Sequence, residues 1–253
     1  MSRATFVLSA TIAALVGSTA HADDSQWHVS AGPGALVVPK YPGAADSDAF
    51  PLVDVDIAYG RFFLNWWHGI GAYLIDDGRR QLGASLWFRR GRDRNDSDRV
   101  ATLEPIDMAP AAHAFYSEHI GSLALSASVT QTLAKGGGVS ADGSVAWQFQ
   151  PYRPAHVQVG IRATVGDPRY MRTWFGITAG QARASGLAEY DVDPGLASVG
   201  GFAVVSYQLS PDWVATAYAG CDVLVGDASD SPVVERATMP MFAVSLQRRF
   251  GNR

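Results

Sequence analysis

The stretch AHVQVGIRATV, residues 155–165, decides the class of fold because apolar and polar side chains alternate along it. Its apolar positions are Val157, Val159, Ile161, Ala163 and Val165, and the positions between them are His156, Gln158, Gly160, Arg162 and Thr164. A period of two is the period of a β-strand, so one face is apolar and the other is polar. The alternation recurs in segments 52–59, 120–133 and 139–150. We therefore predict an all-β protein.

Strand length separates a membrane barrel from a soluble sandwich. About twelve strands can be placed, many of them reaching the ~9–11 residues of a tilted transmembrane strand, whereas soluble strands usually have ~5–6. The predicted ranges are 26–38, 50–58, 61–67, 70–76, 79–90, 106–116, 119–134, 138–150, 154–165, 196–209, 212–226 and 239–250. The pattern predicts a single antiparallel transmembrane β-barrel of about 12 strands, within a range of 10–14.

The connections between these strands predict how the barrel sits in the membrane. Tight turns are expected at 59–61, 77–78, 117–118, 151–154 and 210–212, and long polar loops at 39–49, 91–105, 166–195 and 227–238. Short periplasmic turns and longer extracellular loops are typical of outer-membrane barrels. Aromatic residues near the predicted turns fit a girdle at the periplasmic interface: Tyr59, Phe62, Tyr116, Tyr152, Tyr207, Trp213 and Phe250.

The N-terminus reads as a secretory signal peptide. Arg3 precedes the apolar segment 6–20, and Ala20-His21-Ala22 is an A-x-A cleavage site, so residues 1–22 are the expected leader and 23–253 the barrel. The mature chain would have 19 Lys and Arg against 24 Asp and Glu, a net charge of −5, which argues against nucleic acid as a partner. The single cysteine allows no intramolecular disulfide.

Three sequence blocks carry a family resemblance. Segment 165–200 contains Gly166-Asp167, Tyr170-Met171, Phe175-Gly176-Ile177-Thr178, Ser185-Gly186-Leu187, Tyr190 and Gly195-Leu196. Segment 224–234 contains Leu224, Gly226-Asp227-Ala228 and Ser231-Pro232-Val233-Val234. Segment 32–65 reads GPGALVVPKYPGAADSDAFPLVDVDIAYGRFFLN. Taken in their order along the chain, the blocks span nearly the whole predicted mature chain and resemble the MipA/OmpV family of outer-membrane proteins.

The resemblance implies a cell outer-membrane location in a Gram-negative bacterium and a non-enzymatic role. The family is known for a barrel described as a partner of a lytic murein transglycosylase, thought to be a scaffold that joins this murein hydrolase to a murein synthase. Other members look like adhesins or stress-linked surface proteins. A narrow channel, a surface adhesin and an enzyme acting on lipid are the competing functions.

A search for reactive groups predicts no catalytic, metal-binding or cofactor-binding residues. No G-x-S-x-G, H-E-x-x-H, C-x-x-C pair or P-loop occurs, and His68, His113, His119 and His156 show no metal-ligand spacing. Asp54 and Asp56 share a strand face ~7 Å apart, a spacing compatible with acid–base carboxylates. We interpret them instead as lumen charges balanced by Arg162 and other basic groups. The predicted polar residues of the lumen are Asp54, Asp56, His156, Gln158 and Arg162.

The acidic loop GDASDSPVVERAT, residues 226–238, is predicted to be a compact turn folded against 166–195 over the barrel mouth. Its carboxylates are expected to keep the rim soluble and to pair with Arg169, Arg172 or Arg183, although a recognition loop is an equal alternative. The arginines of segment 89–99 are interpreted as a solvated outer loop in contact with lipopolysaccharide. Outer-membrane lipid is the other expected contact.

Overall fold

The computed structural model describes residues 27–134 and 136–250, so the predicted leader of residues 1–22 lies outside the described residues. Within these described residues, twelve strands form a closed antiparallel barrel, which confirms the predicted fold. The strands are β1 (Trp27–Pro39), β2 (Ser47–Tyr59), β3 (Phe62–Asn65), β4 (Gly69–Asp76), β5 (Arg80–Arg89), β6 (Ala109–Ile120), β7 (Leu123–Thr132), β8 (Val139–Tyr152), β9 (Ala155–Gly166), β10 (Gly195–Gln208), β11 (Trp213–Leu224) and β12 (Thr238–Phe250).

Each strand pairs with its neighbours in the chain, and β1 closes the barrel on β12. Closure is required because lipid offers no hydrogen-bond partner to a free strand edge. In the closing ladder Val29 lies opposite Phe250 and Val37 opposite Phe242. The even number of strands puts the two ends of the described barrel on the same side, which the topology prediction assigns to the periplasm.

The side chains divide between the two faces as the period of two requires. On β9, Val159 is 49 % and Ile161 is 68 % exposed, whereas Gln158, which precedes Val159, is 1 % exposed. The outward positions of the other strands are also apolar and exposed, for example Val53, Leu86, Val145 and Val244. Burial against lipid replaces burial in a core for this outer face.

An aromatic girdle surrounds the end of the barrel that carries the short turns. Except for Tyr116, which is half-buried, the aromatic residues predicted there are exposed on the outer surface. Trp27 at the start of β1 adds to them and stacks on Tyr59, with 4.7 Å between ring centroids. Amphipathic rings of this kind favour the membrane–water interface.

The turn after β6 is placed differently from the prediction. The sequence suggested a turn at Ser117-Glu118, but Ser117 pairs with Ser126 and the ladder continues to Ile120. The chain reverses at Gly121, whose φ of 61° is a left-handed conformation that glycine adopts without a steric cost. Cross-strand hydrogen bonds to β7 therefore extend β6 beyond the polar residues that suggested a turn.

One part of the wall is built from a short hairpin. β3 has four residues, so the outer part of β2, residues 47–55, pairs with β1 alone among the described strands. The Val55 carbonyl accepts a hydrogen bond from the Trp66 backbone N–H at 3.2 Å. The backbone N–H and C=O groups of odd-numbered β2 residues therefore point away from β1, toward the edge that the short β3 leaves unpaired. Pro51 therefore presents no N–H group to this edge, as expected of an edge proline.

In the described part of the chain, three short helices lie in the long loops: α1 (Pro168–Phe175), α2 (Ala179–Ser185) and α3 (Asp227–Asp230). Among the residues described, no helix is long and apolar enough to cross a membrane.

Replacing Val159 by arginine tests the direction of the wall. A charge on the lipid face near mid-membrane costs ~2–4 kcal/mol in barrels of this type, so Val159→Arg should lower the free energy of unfolding in lipid vesicles by that amount or prevent assembly. Val159→Leu, at the same position, should retain the stability of the native protein. Equal unfolding midpoints for the two variants would show that this face of β9 does not contact lipid.

Candidate functional site

The long loops meet over one end of the barrel and share a hydrophobic core. We call this structure the lid; it consists of residues 40–46, 90–108, 167–194 and 225–237. Its buried side chains, with those of the adjoining strand ends, are Tyr41, Ala44, Val100, Leu103, Tyr170, Met171, Trp174, Phe175, Ile177, Val192, Ala197, Leu224, Ala228, Val233 and Met239. The lid is therefore a packed layer with its own core.

Local sequence signals start and stop the helices of the lid. The Asp167 side chain accepts a hydrogen bond from the Tyr170 backbone N–H at 2.7 Å and caps α1, which has proline in its first turn. Thr178 and Gln181 form a capping box at the start of α2, and Gly186 ends that helix with a φ of 75°. These caps satisfy backbone groups that short helices otherwise leave free.

The family-motif residues of the first loop lie where the lid joins the barrel. Tyr170, Met171 and Phe175 project from one side of α1 into the lid core, with Phe175 fully buried. Gly166 at the end of β9 leaves room for them, because a Cβ there would lie 2.3 Å from the Tyr170 ring. Gly176 follows directly as the C-cap residue of α1.

The acidic loop packs against this first loop, as predicted. The Ser231 hydroxyl donates to the Phe175 carbonyl oxygen at 2.5 Å, and the Tyr190 hydroxyl donates to the Asp227 carbonyl oxygen at 2.9 Å. Gly226 precedes α3 with a φ of 54°, and the Pro232 carbonyl oxygen accepts a hydrogen bond from Arg99 at 3.1 Å.

The predicted ion pairs of the acidic loop are wrong. The salt bridges found among the described residues do not join its carboxylates to Arg169, Arg172 or Arg183. Instead, the Asp227 side chain accepts from the Asp193 backbone N–H at 3.1 Å, and Glu235 accepts from the Ala45 backbone N–H at 3.0 Å. Because the loops pack against one another, these carboxylates lie beside backbone N–H groups of other lid loops and accept hydrogen bonds from them.

The arginine-rich segment is not a uniformly solvated loop either. Arg90 and Arg92 are buried. Arg90 forms an ion pair with Asp48, and Arg92 donates to the Trp174 carbonyl oxygen at 3.3 Å. Burial lowers the pKa of Arg92 from its usual value, and burial beneath the same loops raises the pKa of Tyr41 to about 12. Arg92 and Tyr41 therefore add polar contacts to the interior of the lid.

A cavity of about 100 Å³ lies under the lid, inside the barrel. On one wall Arg162 of β9 donates to both carboxylate oxygens of Asp222 on β11, at 2.7 and 2.8 Å. Gly200 of β10 lies opposite both residues in the two ladders, and a Cβ on it would be 2.0 Å from Asp222 Oδ1. The ion pair can bridge across the middle strand only because that position has no side chain.

A second set of polar groups also lines this cavity. Arg89 of β5 donates to the Ser140 hydroxyl at 2.7 Å, and its guanidinium lies 5.1 Å from the centre of the Tyr170 ring. Thr164 donates to Asp142 Oδ1 at 2.7 Å. The cavity is also lined by apolar residues from β10, β11 and β12: Ala197, Leu224, Met239 and Met241.

Asp54 and Asp56 lie in a different region of the lumen from Arg162. They line a second cavity of about 90 Å³, together with residues of β1, β10, β11 and β12. Asp54 lies with Ser245 in the second cavity, whereas Arg162 is held by Asp222, so the expected balance of these carboxylates by Arg162 is wrong. Strand register across the barrel, which sequence alone does not give, decides the pairing.

The other two predicted lumen residues differ in exposure although both occupy inward positions of β9. Gln158 is almost fully buried, whereas His156 is exposed near the end of the strand, with its Nε2 3.5 Å from Gln150 Nε2. Between the two cavities the lumen is filled by a hydrophobic cluster of inward side chains. Its larger members are Leu36, Val38, Leu52, Trp66, Phe202, Val204, Tyr218 and Met241.

His68 and His113, for which the sequence shows no metal-ligand spacing, lie together. His68 Nδ1 is 3.3 Å from His113 Nε2, and His113 Nδ1 is 3.0 Å from Thr130 Oγ1. His113 and His119 both belong to β6, which continues through the turn that the sequence predicts at 117–118. Within residues 27–134 and 136–250, no group of three or more His, Cys, Asp or Glu side chains is placed to hold a metal ion.

The model of one protein family matches residues 31–250 of the chain, and its description is MltA-interacting protein MipA. The chain belongs to the MipA family. It is accordingly an outer-membrane β-barrel protein, and the resemblance of its three sequence blocks is confirmed. A comparison with curated protein sequences gives no significant match.

Solved structures similar to this MipA-family protein are outer-membrane proteins of low sequence identity. An outer-membrane channel of Pseudomonas putida F1 has 11 % identity and a TM-score of 0.46, with 89 % of this chain and 96 % of that chain covered. The NanC porin has 9 % identity and a TM-score of 0.40, with 89 % and 100 % covered. Neisserial surface protein A has 10 % identity and a TM-score of 0.32, with 88 % and 97 % covered.

Two adjacent glycines of β10 provide a matched test of the buried ion pair. Gly200→Ala forces a methyl group against Asp222, and such overpacking typically costs about 1–3 kcal/mol, so the midpoint of urea unfolding should fall. Gly201→Ala places its methyl group no closer than 3.6 Å to the nearest atom, a backbone oxygen of Gly160, and should be tolerated. If both variants unfold at the native midpoint, Gly200 is not needed for the Arg162–Asp222 contact.

Truncation of the central lid residue tests whether the lid is a packed layer. Phe175→Ala removes a fully buried ring, a change that costs about 3–5 kcal/mol in well-packed cores. Amide hydrogen exchange in 167–194 and 225–237 should therefore accelerate while the barrel strands remain protected. Arg169→Ala, an exposed change on the same helix, should leave exchange unaltered. Unchanged protection in Phe175→Ala would contradict a lid stabilised by its own core.

Proposed function

We propose that this MipA-family barrel is a non-enzymatic scaffold that holds a lytic murein transglycosylase, and with it a murein synthase, at the periplasmic side of the outer membrane. The description of the family, which names an interaction with MltA, supports binding of the murein-cleaving partner. The anchoring role follows from the barrel itself, because a closed sheet with an apolar outer face is held in lipid.

The filled lumen supports binding rather than transport as the main role. The lid covers one end of the barrel, and the hydrophobic cluster fills the middle between the two cavities. A solute would have to displace side chains at both levels, whereas porins keep a water-filled passage. Arg162 and Asp222 of the upper cavity form an ion pair with each other, which supports a structural rather than a catalytic role for these two residues.

The face with the short turns offers the surface for a periplasmic partner. Arg61, Arg153 and Arg249 are exposed there, and the salt bridges found among the described residues do not include them. By contrast, Arg79 is paired with Glu118 and Arg80 with Asp77. The partner surface that fits this face is acidic, because complementary charges steer and orient association.

The area of the turn face sets a further requirement. A standard interface buries ~800 Å² on each partner, which would engage nearly the whole end of a barrel this narrow. The partner therefore has to contact several turns at once. Outer-membrane lipid surrounds the wall, and the exposed arginines of the lid, such as Arg94 and Arg169, are suited to anionic lipopolysaccharide.

A binding measurement with charge reversals tests the scaffold. The full-length protein in detergent should bind a purified lytic transglycosylase, and the double variant Arg61→Glu/Arg153→Glu should weaken that binding at least about tenfold, or 1.4 kcal/mol. Arg183→Glu, an exposed reversal in the lid, is the matched control on the opposite side and should bind like the native protein.

Each result has a defined consequence for the proposal. No binding by the native protein to the transglycosylase contradicts the scaffold role. Loss of binding in Arg183→Glu but not in the double variant would move the partner surface to the extracellular side, where an adhesin rather than a murein scaffold would use it. A heat-modifiable gel shift of each variant shows that the barrel has folded.

A further inference from the structure

The cavity under the lid contains charges of both signs that the protein itself leaves incompletely paired. Arg162 Nη1 and Arg89 Nε are buried donors with no hydrogen-bond partner among the described atoms. Asp142 lines the same cavity, and the salt bridges found in the described part of the chain do not include it or Arg89. Buried charged groups without partners are costly, so this arrangement is suited to a ligand.

We propose that this cavity binds a small zwitterion, namely an α-amino acid with a short aliphatic side chain. Its carboxylate would accept hydrogen bonds from Arg89 and Arg162, and its ammonium group would face Asp142. Arg162 already uses Nε and Nη2 on Asp222, which fixes the guanidinium and leaves Nη1 as the free donor. The site is pre-organised because its charged side chains are held before the ligand arrives.

The charge of the cavity selects a zwitterion over a simple ion. Its four charged residues, Arg89, Arg162, Asp142 and Asp222, sum to zero at neutral pH with all four ionised. A lone anion would add net charge to a region of low dielectric constant, and a lone cation would leave the two arginine donors unused. A zwitterion pairs its carboxylate with the arginine donors and its ammonium group with Asp142, and it adds no net charge to the cavity.

The dimensions and the apolar lining limit the size of this ligand. A volume of about 100 Å³ accommodates a few non-hydrogen atoms. Leu224, Met239 and Met241 present an apolar surface beside the charged groups. These residues favour a short aliphatic side chain over a long or charged one.

The ligand reaches this site from the extracellular side. Tyr41, Tyr170 and Phe175 belong to the lid and also line the cavity, so they form its roof. Below it, the hydrophobic cluster separates the cavity from the periplasmic half of the lumen. Local opening of lid loops would admit the ligand, since loops open at lower free energy than the barrel strands that carry them.

Calorimetric titration of the purified full-length protein in detergent tests the site with three matched probes. L-alanine carries both charges, propionate lacks the ammonium group, and ethylamine lacks the carboxylate. L-alanine should bind at least about tenfold more tightly than either analogue, because only it satisfies both sets of partners. Absence of L-alanine binding, or propionate binding of equal strength, would overturn the proposal.

Isosteric variants identify the groups responsible. Asp142→Asn keeps the shape of the side chain but removes its charge, so it should weaken L-alanine binding at least about tenfold and reduce the preference over propionate. Arg89→Gln should weaken both L-alanine and propionate. Asp54→Asn changes a carboxylate of the second cavity and should leave L-alanine binding at the native strength.

Unaltered L-alanine affinity in folded Asp142→Asn and Arg89→Gln would contradict the assignment. The heat-modifiable gel shift shows folding, and if one variant does not fold the other still decides the result. Transglycosylase binding is measured separately on the opposite face, so failure of the amino-acid site and failure of the scaffold are distinguishable.

Discussion

The closed hydrogen-bond ladder is the constraint on which the rest of the structure depends. A strand in lipid must pair on both sides, because the hydrocarbon region offers no water to an unpaired peptide group. β12 therefore has to return to β1, and each strand has to present an apolar face outward. Where the short β3 leaves part of β2 without a second neighbour, Pro51 removes an N–H group that would face this edge.

Closing the sheet also decides what the lumen contains. Inward side chains from opposite walls of a barrel this narrow come within reach of one another and must be mutually compatible. Arg162, Gly200 and Asp222 illustrate the result, since two charged residues on β9 and β11 meet over a glycine on the strand between them. A hydrophobic cluster of inward residues, such as Phe202 and Tyr218, packs inside the barrel as a second example.

Because only one end of the barrel carries the lid, the two ends of the molecule are suited to binding different kinds of partner. On one end, loops with a shared apolar core cover a cavity whose charged residues are held in place by the strands. On the other end, short turns present exposed arginines close to an aromatic girdle. Binding of a small ligand beneath the lid and binding of a protein on the turns can therefore coexist, because they use separate surfaces.

The sequence by itself determined the barrel, its strand count and the motifs that show the family, because period-two alternation and turn residues act within a few positions. It also predicted that the acidic loop packs on segment 166–195. Only the tertiary structure decided that Arg162 pairs with Asp222 rather than with Asp54 or Asp56, that His68 meets His113, and that β6 extends to Ile120. These contacts join residues that are distant in the chain or depend on cross-strand pairing, and strand register, not local pattern, brings them together.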